Sequence, residues 1–229
     1  MKNILFVVTS IHHIAEIDRK TGFYLDELAI PLKAVVDNGW NASIASIKGG
    51  EPPIEYKTLR PKNIRTDAQQ WLLDDEFYFN KLRNSFSIKD VPNENYDAIF
   101  MPGGHGVMWD FKQNKILADL VTNFYDSNKI VAAICHGPAG LLASVSKKNN
   151  NPICSGKKVT CFTNEEEEKV GMTEIVPYLV EDELVKQGGL FFKKESRTPN
   201  CVVDGNILTG QNPESSYLLA SALIDVLSL

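Results

Sequence analysis

The sequence predicts an α/β fold, a doubly wound and mostly parallel β-sheet with helices on both faces. Three observations predict it. Four short runs of apolar and β-branched residues, at 3–10, 41–47, 96–102 and 129–135, are each bounded by turn residues, as buried parallel strands are. Segments with helical spacing lie between them, which implies right-handed strand–helix–strand units. The 229 residues suffice for one well-buried domain and are few for two, so a single domain over 1–229 is expected.

The first run, "NILFVVTS", follows one lysine but lacks the longer apolar core and cleavage site of a signal peptide, so it reads as the first strand. A helix follows over 23–39, "FYLDELAIPLKAVVDNG", ending at Gly39. After the second strand, residues 48–92 break the rhythm with prolines at 52, 53 and 61, and then "TDAQQWLLDDEFYFNKLRN" has helical spacing. This segment is read as an insertion of one or two helices, whose Trp71, Phe77, Tyr78 and Phe79 suit a satellite core, a pocket lining or a subunit contact. The strand at 96–102, a helix at 115–128 and the strand at 129–135 restore the alternation. Beyond them, "KKVTCFT" is a further strand candidate and "VVDGNILTG" a hairpin turning at Asp204-Gly205. The last helix starts at "QNPESSYLLASALIDVL", with Asn212 as its N-cap and Pro213 in its first position.

Composition excludes several classes. Apolar and charged residues, at 43% and 23%, are near the averages for soluble domains, and a formal charge of -5 argues against a nucleic-acid surface. No apolar stretch approaches the roughly eighteen residues of a membrane span, so a cytoplasmic protein without a membrane partner is expected. The four cysteines, at 135, 154, 161 and 201, form no C-x-x-C pair, which fits reduced thiols better than disulfides or a zinc ribbon.

"AAICHGPAG" at 132–140 draws the chemistry to Cys135. In open α/β sheets ligands bind beyond the carboxyl ends of the strands, and Cys135 falls at such an end. A helix that begins directly after it forces a sharp strand-to-helix turn flanked by Ala133 and Gly137, the layout of a nucleophile elbow. Such a helix start would lower the thiol pKa by its dipole. Cys154, Cys161 and Cys201 lack these features and suit small buried apolar positions. A second corner, "MPGGHGVMWD", places Gly103, Gly104 and His105 where backbone N–H groups could serve as an oxyanion or substrate site. Glu27, early in the first helix, could reach the thiol as a protonated partner or an acid–base group, whereas Asp26 suits a solvated face.

The four histidines are 12, 13, 105 and 136, and none lies beyond the elbow. That order excludes an α/β-hydrolase, whose histidine comes last. With neither a His-x-x-x-His pair nor a Cys/His cluster in the sequence, no metal site is expected.

Taken together, "AAICHGPAGLL", "MPGGHGVMWDF" and "TGFYLDELAIPL" resemble the ThiJ/PfpI superfamily, and within it the glyoxalase III and heat-shock-chaperone branch. The resemblance spans nearly the whole chain and implies a flavodoxin-like sandwich, usually a homodimer, with no cofactor. It implies Cys135 as nucleophile, Glu27 as acidic partner, His136 as the histidine of a triad-like set, and the amides of Gly104 and His136 as the oxyanion site. The third triad member falls in "NEEEEK", where spacing favours Glu167 over Glu165. The implied activity is conversion of methylglyoxal, a small reactive carbonyl, to lactate. Deglycase or peptidase/amidase chemistry at the same cysteine, and a stress-related holdase or redox sensor, are the alternatives.

Overall fold

The computed structural model describes residues 1–92 and 95–229. In chain order the elements are β1 (Asn3–Val8), the two-residue strands β2 (His13–Ile14) and β3 (Arg19–Lys20), α1 (Leu25–Asp37) and β4 (Asn41–Ser46). Then come α2 (Asp67–Asp74), α3 (Glu76–Arg83), β5 (Phe86–Ser87), β6 (Ala98–Met101), α4 (Val107–Asp110), α5 (Lys115–Asp126) and β7 (Ile130–Ile134). The remainder comprises β8 (Lys158–Val159), α6 (Asn164–Lys169), α7 (Val180–Lys186), β9 (Leu190–Phe191), β10 (Cys201–Asp204), β11 (Ile207–Gly210) and α8 (Ser216–Ser228).

The main sheet has seven strands in the order β10-β11-β7-β6-β1-β4-β5, parallel throughout except for the β10/β11 hairpin. Alternation along β1 divides the core. Leu5 and Val7 join the cluster that holds Leu117, Val121 and Phe124 of α5, while Ile4, Phe6 and Val8 join Leu28 and Leu32 of α1 and Leu219 and Leu223 of α8. Helices therefore cover both faces, and β7 is buried along its whole length. No helix among the described residues is long and apolar enough to cross a membrane.

β6 and β7 are neighbours in register from Ala98↔Ile130 to Met101↔Ala133. Both glycine corners therefore leave the sheet at the same edge, side by side. They pack so closely that a Cβ on Gly137 would sit 2.1 Å from the Met101 carbonyl oxygen. Gly137→Ala is accordingly expected to destabilise the fold by about 1–3 kcal/mol, read as a lower urea midpoint at unchanged slope.

Three expectations differ in detail. The segment 157–163 gives only the short β8, paired with β9 outside the main sheet, because Thr160 N–H donates to the Thr209 hydroxyl and Phe162 N–H to the Cys135 carbonyl. Those donors are spent on side-chain and corner contacts instead of a strand ladder. The hairpin turns at Gly205 and Asn206, one residue later than expected, since Asp204 pairs with Ile207. Asp26 is buried instead of solvated: it accepts from the Thr66 hydroxyl at 2.7 Å and lies 3.3 Å from the Arg60 guanidinium. Within the insertion, Trp71, Tyr78 and Phe79 pack against the α1 side of the core, and Phe77 stays exposed.

Candidate active site

Cys135 directly succeeds the last residue of β7 and has φ +59, in the left-handed region that a residue with a side chain rarely occupies. The corner is held from two sides: Cys135 N–H donates to the Gly210 carbonyl at 2.9 Å, and its own carbonyl accepts from Phe162 N–H at 2.8 Å. This backbone turns the side chain away from the strand direction and onto a pocket of about 420 Å³, which it lines with His136, His105 and Gly104.

The thiol lies 3.3 Å from His136 Nδ1, so the two adjacent side chains do meet, contrary to the usual behaviour of neighbours at an elbow. His136 Nε2 is 2.7 Å from Glu167 Oε2. With Nε2–H donated to that carboxylate, Nδ1 is left as an acceptor facing the sulfur. Glu167 is the reaching member of the glutamate run because α6 starts with a capping box. Thr163 accepts from Glu166 N–H, and the Glu166 carboxylate returns to Thr163 N–H. Glu166 also accepts from Arg197 N–H and the side chains of Gln211 and Asn212. Pinned this way, the helix turns Glu167 inward, while Glu165 is exposed and pairs with Lys169.

Glu167 binds a second ring, since His105 Nε2 is 2.8 Å from its Oε1. Burial works to raise the Glu167 pKa, but the two histidines more than offset it and hold the carboxyl well below the usual carboxylate range. His105 is pushed down to about 4 by burial and by the neighbouring His136, whose ring centroid is 4.5 Å away. His105 is thus a neutral donor to the carboxylate, a part its place in the glycine corner does not reveal. These three residues are also the one group among the described residues whose donor atoms, all within 4.8 Å, could hold a metal ion, a cluster that sequence spacing does not disclose. As placed, both carboxylate oxygens and both Nε2 atoms are spent on one another in hydrogen bonds of 2.7–2.8 Å.

Glu27 enters from the first turn of α1 and is fully buried. Its Oε2 accepts from Gly103 N–H at 2.7 Å. Gly103, expected as part of an oxyanion or substrate site, has its N–H engaged by this carboxyl, whereas the amides of Gly104 and His136 donate to no backbone carbonyl among the described residues. Gly104 has φ +100 and comes so near Gly22 and Tyr24 that a Cβ would clash with their backbone. Burial pushes Glu27 up to about 8 against the lowering effect of the Gly103 amide and the nearby thiol. Its Oε1 has no well-formed hydrogen bond and is left for the sulfur side of the site.

The Cys135 thiol is raised well above its ordinary value, first by burial and then by the charge of Glu27. This reverses the expectation of a thiol acidified by a helix dipole. The chain continues from the corner into a five-residue 3-10 turn, Gly137–Leu141, too short to set up such a dipole, and the carboxylates beside the sulfur outweigh it. A thiolate at this position would therefore have to arise by local proton transfer.

The raised Glu27 pKa links to stability with a definite sign. Between about pH 4.5 and about 8 the folded chain keeps a proton on Glu27 that the unfolded chain has lost, so stability falls as pH rises, by up to about 1.4 kcal/mol per pH unit. Glu27→Gln is expected to flatten that slope, so urea unfolding at pH 5 and pH 8.5 should show the variant gaining on the wild type at the higher pH.

The pocket also contains Tyr24, which lies in the "TGFYLDELAIPL" motif without a role assigned to it, and three residues that no motif announces: Arg19 of the β2/β3 hairpin, and Glu55 and Lys57. Those three belong to no periodic pattern, and the folded chain brings them to the sheet edge.

Against this geometry, a family model described as the DJ-1/PfpI family matches residues 20–226. The chain is 29% identical to the protein named Glyoxalase 3 of Candida albicans over 231 residues, covering 98% of each. Among solved structures it is similar to glyoxalase III from Candida albicans, with a TM-score of 0.89 and 27% identity over 98% of this chain and 96% of that one. It is also similar to the Rapid Encystment Protein 24 kDa of Francisella tularensis, with a TM-score of 0.91 and 38% identity over 97% of each chain.

Proposed function

The chain belongs to the DJ-1/PfpI family, and from that premise we propose that it is a glutathione-independent glyoxalase that converts methylglyoxal and water to lactate at Cys135. The observation that carries the reading is the continuous line from the Cys135 sulfur through the His136 ring to the Glu167 carboxylate, with Glu27 buried on the thiol's other side.

His136 Nδ1 takes the thiol proton as the sulfur adds to the aldehyde carbon, and the resulting oxyanion is met by the amides of Gly104 and His136. The hemithioacetal then loses its C1 proton to a base and regains one at C2 through an enediol. Glu27 suits this shuttle because a pKa of about 8 lets it both take and return a proton near neutrality. The aldehyde carbon is oxidised and the ketone carbon reduced within one molecule, so no outside oxidant is needed. Water hydrolyses the thioester, releasing lactate and restoring the thiol.

The reading includes a homodimer, on the family resemblance, and a cytoplasmic place of action, which the four free cysteines favour. A holdase role would draw its support from an aromatic surface, and three of those four aromatics are packed against the core. The decisive assay supplies methylglyoxal to the purified protein without glutathione and quantifies lactate. Steady lactate formation above the buffer rate is expected; consumption of methylglyoxal without lactate would overturn the proposal.

A further inference from the structure

We infer that the pocket selects 2-oxoaldehydes that carry a carboxylate at the end remote from the reacting carbonyl, with Arg19 and Lys57 as the residues that recognise it. The inference rests on the glyoxalase reading for the reacting end and on the pocket itself for the other end.

Size is the first argument. Pockets for drug-sized ligands begin at roughly 300 Å³, and this one measures about 420 Å³. A three-carbon oxoaldehyde bound at Cys135 leaves much of that space unfilled, and Arg19 of the hairpin with Glu55 and Lys57 forms part of its wall.

Charge is the second. The other cations on the pocket wall already have partners: Arg197 lies 3.3 Å from Glu214, and Lys169 pairs with Glu165. Glu166 is saturated by the donors that pin α6. Arg19 differs. Its Nε is buried without any hydrogen bond, one terminal nitrogen reaches only the sulfur of Met172 at 3.2 Å, and the other is 3.7 Å from Glu55, beyond hydrogen-bond reach. A guanidinium offers five donors in a planar fork, and here almost all remain unspent. Glu55 is meanwhile held at its other oxygen by the Thr21 hydroxyl, at 2.8 Å, so it is not free to swing in. Lys57 lines the same wall, forms no ion pair among the described residues and rests near the Tyr56 ring. On the stretch of wall formed by the hairpin and the segment 55–57, Arg19 and Lys57 stand against Glu55 alone, a local excess of one positive charge, while the Glu166 carboxylate elsewhere on the lining is met by neutral donors. A single negative charge matches that surplus, whereas the dianionic form of a phosphate would meet Glu55 and Glu214 with an excess of repulsion. The planar carboxylate also fits the fork in two parallel hydrogen bonds. Arg19 lines the same pocket as His105 and Cys135.

The test uses Cys135→Ala protein, which binds without turnover, and calorimetric titration with 4,5-dioxopentanoate and with its methyl ester. The acid is expected to bind about 10- to 100-fold more tightly than the ester, as charge-assisted hydrogen bonds imply. Adding Arg19→Gln should bring the two within about threefold, and adding Lys57→Gln, at an exposed position, should narrow the gap partway. Equal binding of acid and ester, or a preference that survives both substitutions, would overturn the anion site. The reaction is tested separately by methylglyoxal turnover in the wild type, so loss of the anion preference with lactate formation intact would leave the glyoxalase reading standing.

Discussion

Replacing Cys135 by alanine is expected to reduce lactate formation to the background rate while the protein unfolds in urea with a midpoint close to that of the wild type. In the proposed mechanism the sulfur forms and releases the covalent bond to the aldehyde, and without it the enediol step has no thioester to lead to. The alanine side chain retains the Cβ, and the corner's backbone contacts to Gly210 and Phe162 involve no side-chain atom, so the fold has little to lose. Measuring lactate and the unfolding midpoint on the same preparation separates chemistry from folding. Residual lactate at more than about a hundredth of the wild-type rate would mean that another group carries the reaction.

Glu167→Gln is expected to lower kcat by about two to four orders of magnitude, with a smaller effect on KM, whereas Glu165→Gln should leave both unchanged. The carboxylate fixes which His136 nitrogen carries the proton, and an amide in its place can offer an N–H where an acceptor is required, turning the ring or its tautomer away from the sulfur. It also leaves His105 and His136 without their shared anion, so a loss of stability should accompany the loss of rate. Glu165 is solvated and pairs with Lys169. Equal effects of the two substitutions would remove Glu167 from the site.

This contrast also measures what the sequence discloses. The parallel strands, the helices on both faces and the elbow at Cys135 are legible because burial imposes a period on the residues and because a sharp corner demands small ones, as at Gly137. Glu27 is legible as a position but not as a buried acid, since its neighbour Asp26 has the same chemistry and the opposite expectation. Within "NEEEEK" four identical side chains carry no local signal, and the choice among them is made by Thr163 and by the distant Gln211 and Asn212, which fix the helix. The thiol's pKa escapes the sequence for a related reason. A dipole is inferred from the local sequence, but the carboxylates that oppose it arrive from α1 and α6, and only the assembled fold brings them together.

The left-handed backbone at residue 135 has a meaning of its own. A glycine there would relax the corner, so a chain shaped by stability alone would drift toward glycine at that point. A side chain held in so unfavourable a conformation, beneath two packed corners that tolerate no spare atom, costs stability that a glycine would not, a cost that the proposed nucleophile accounts for.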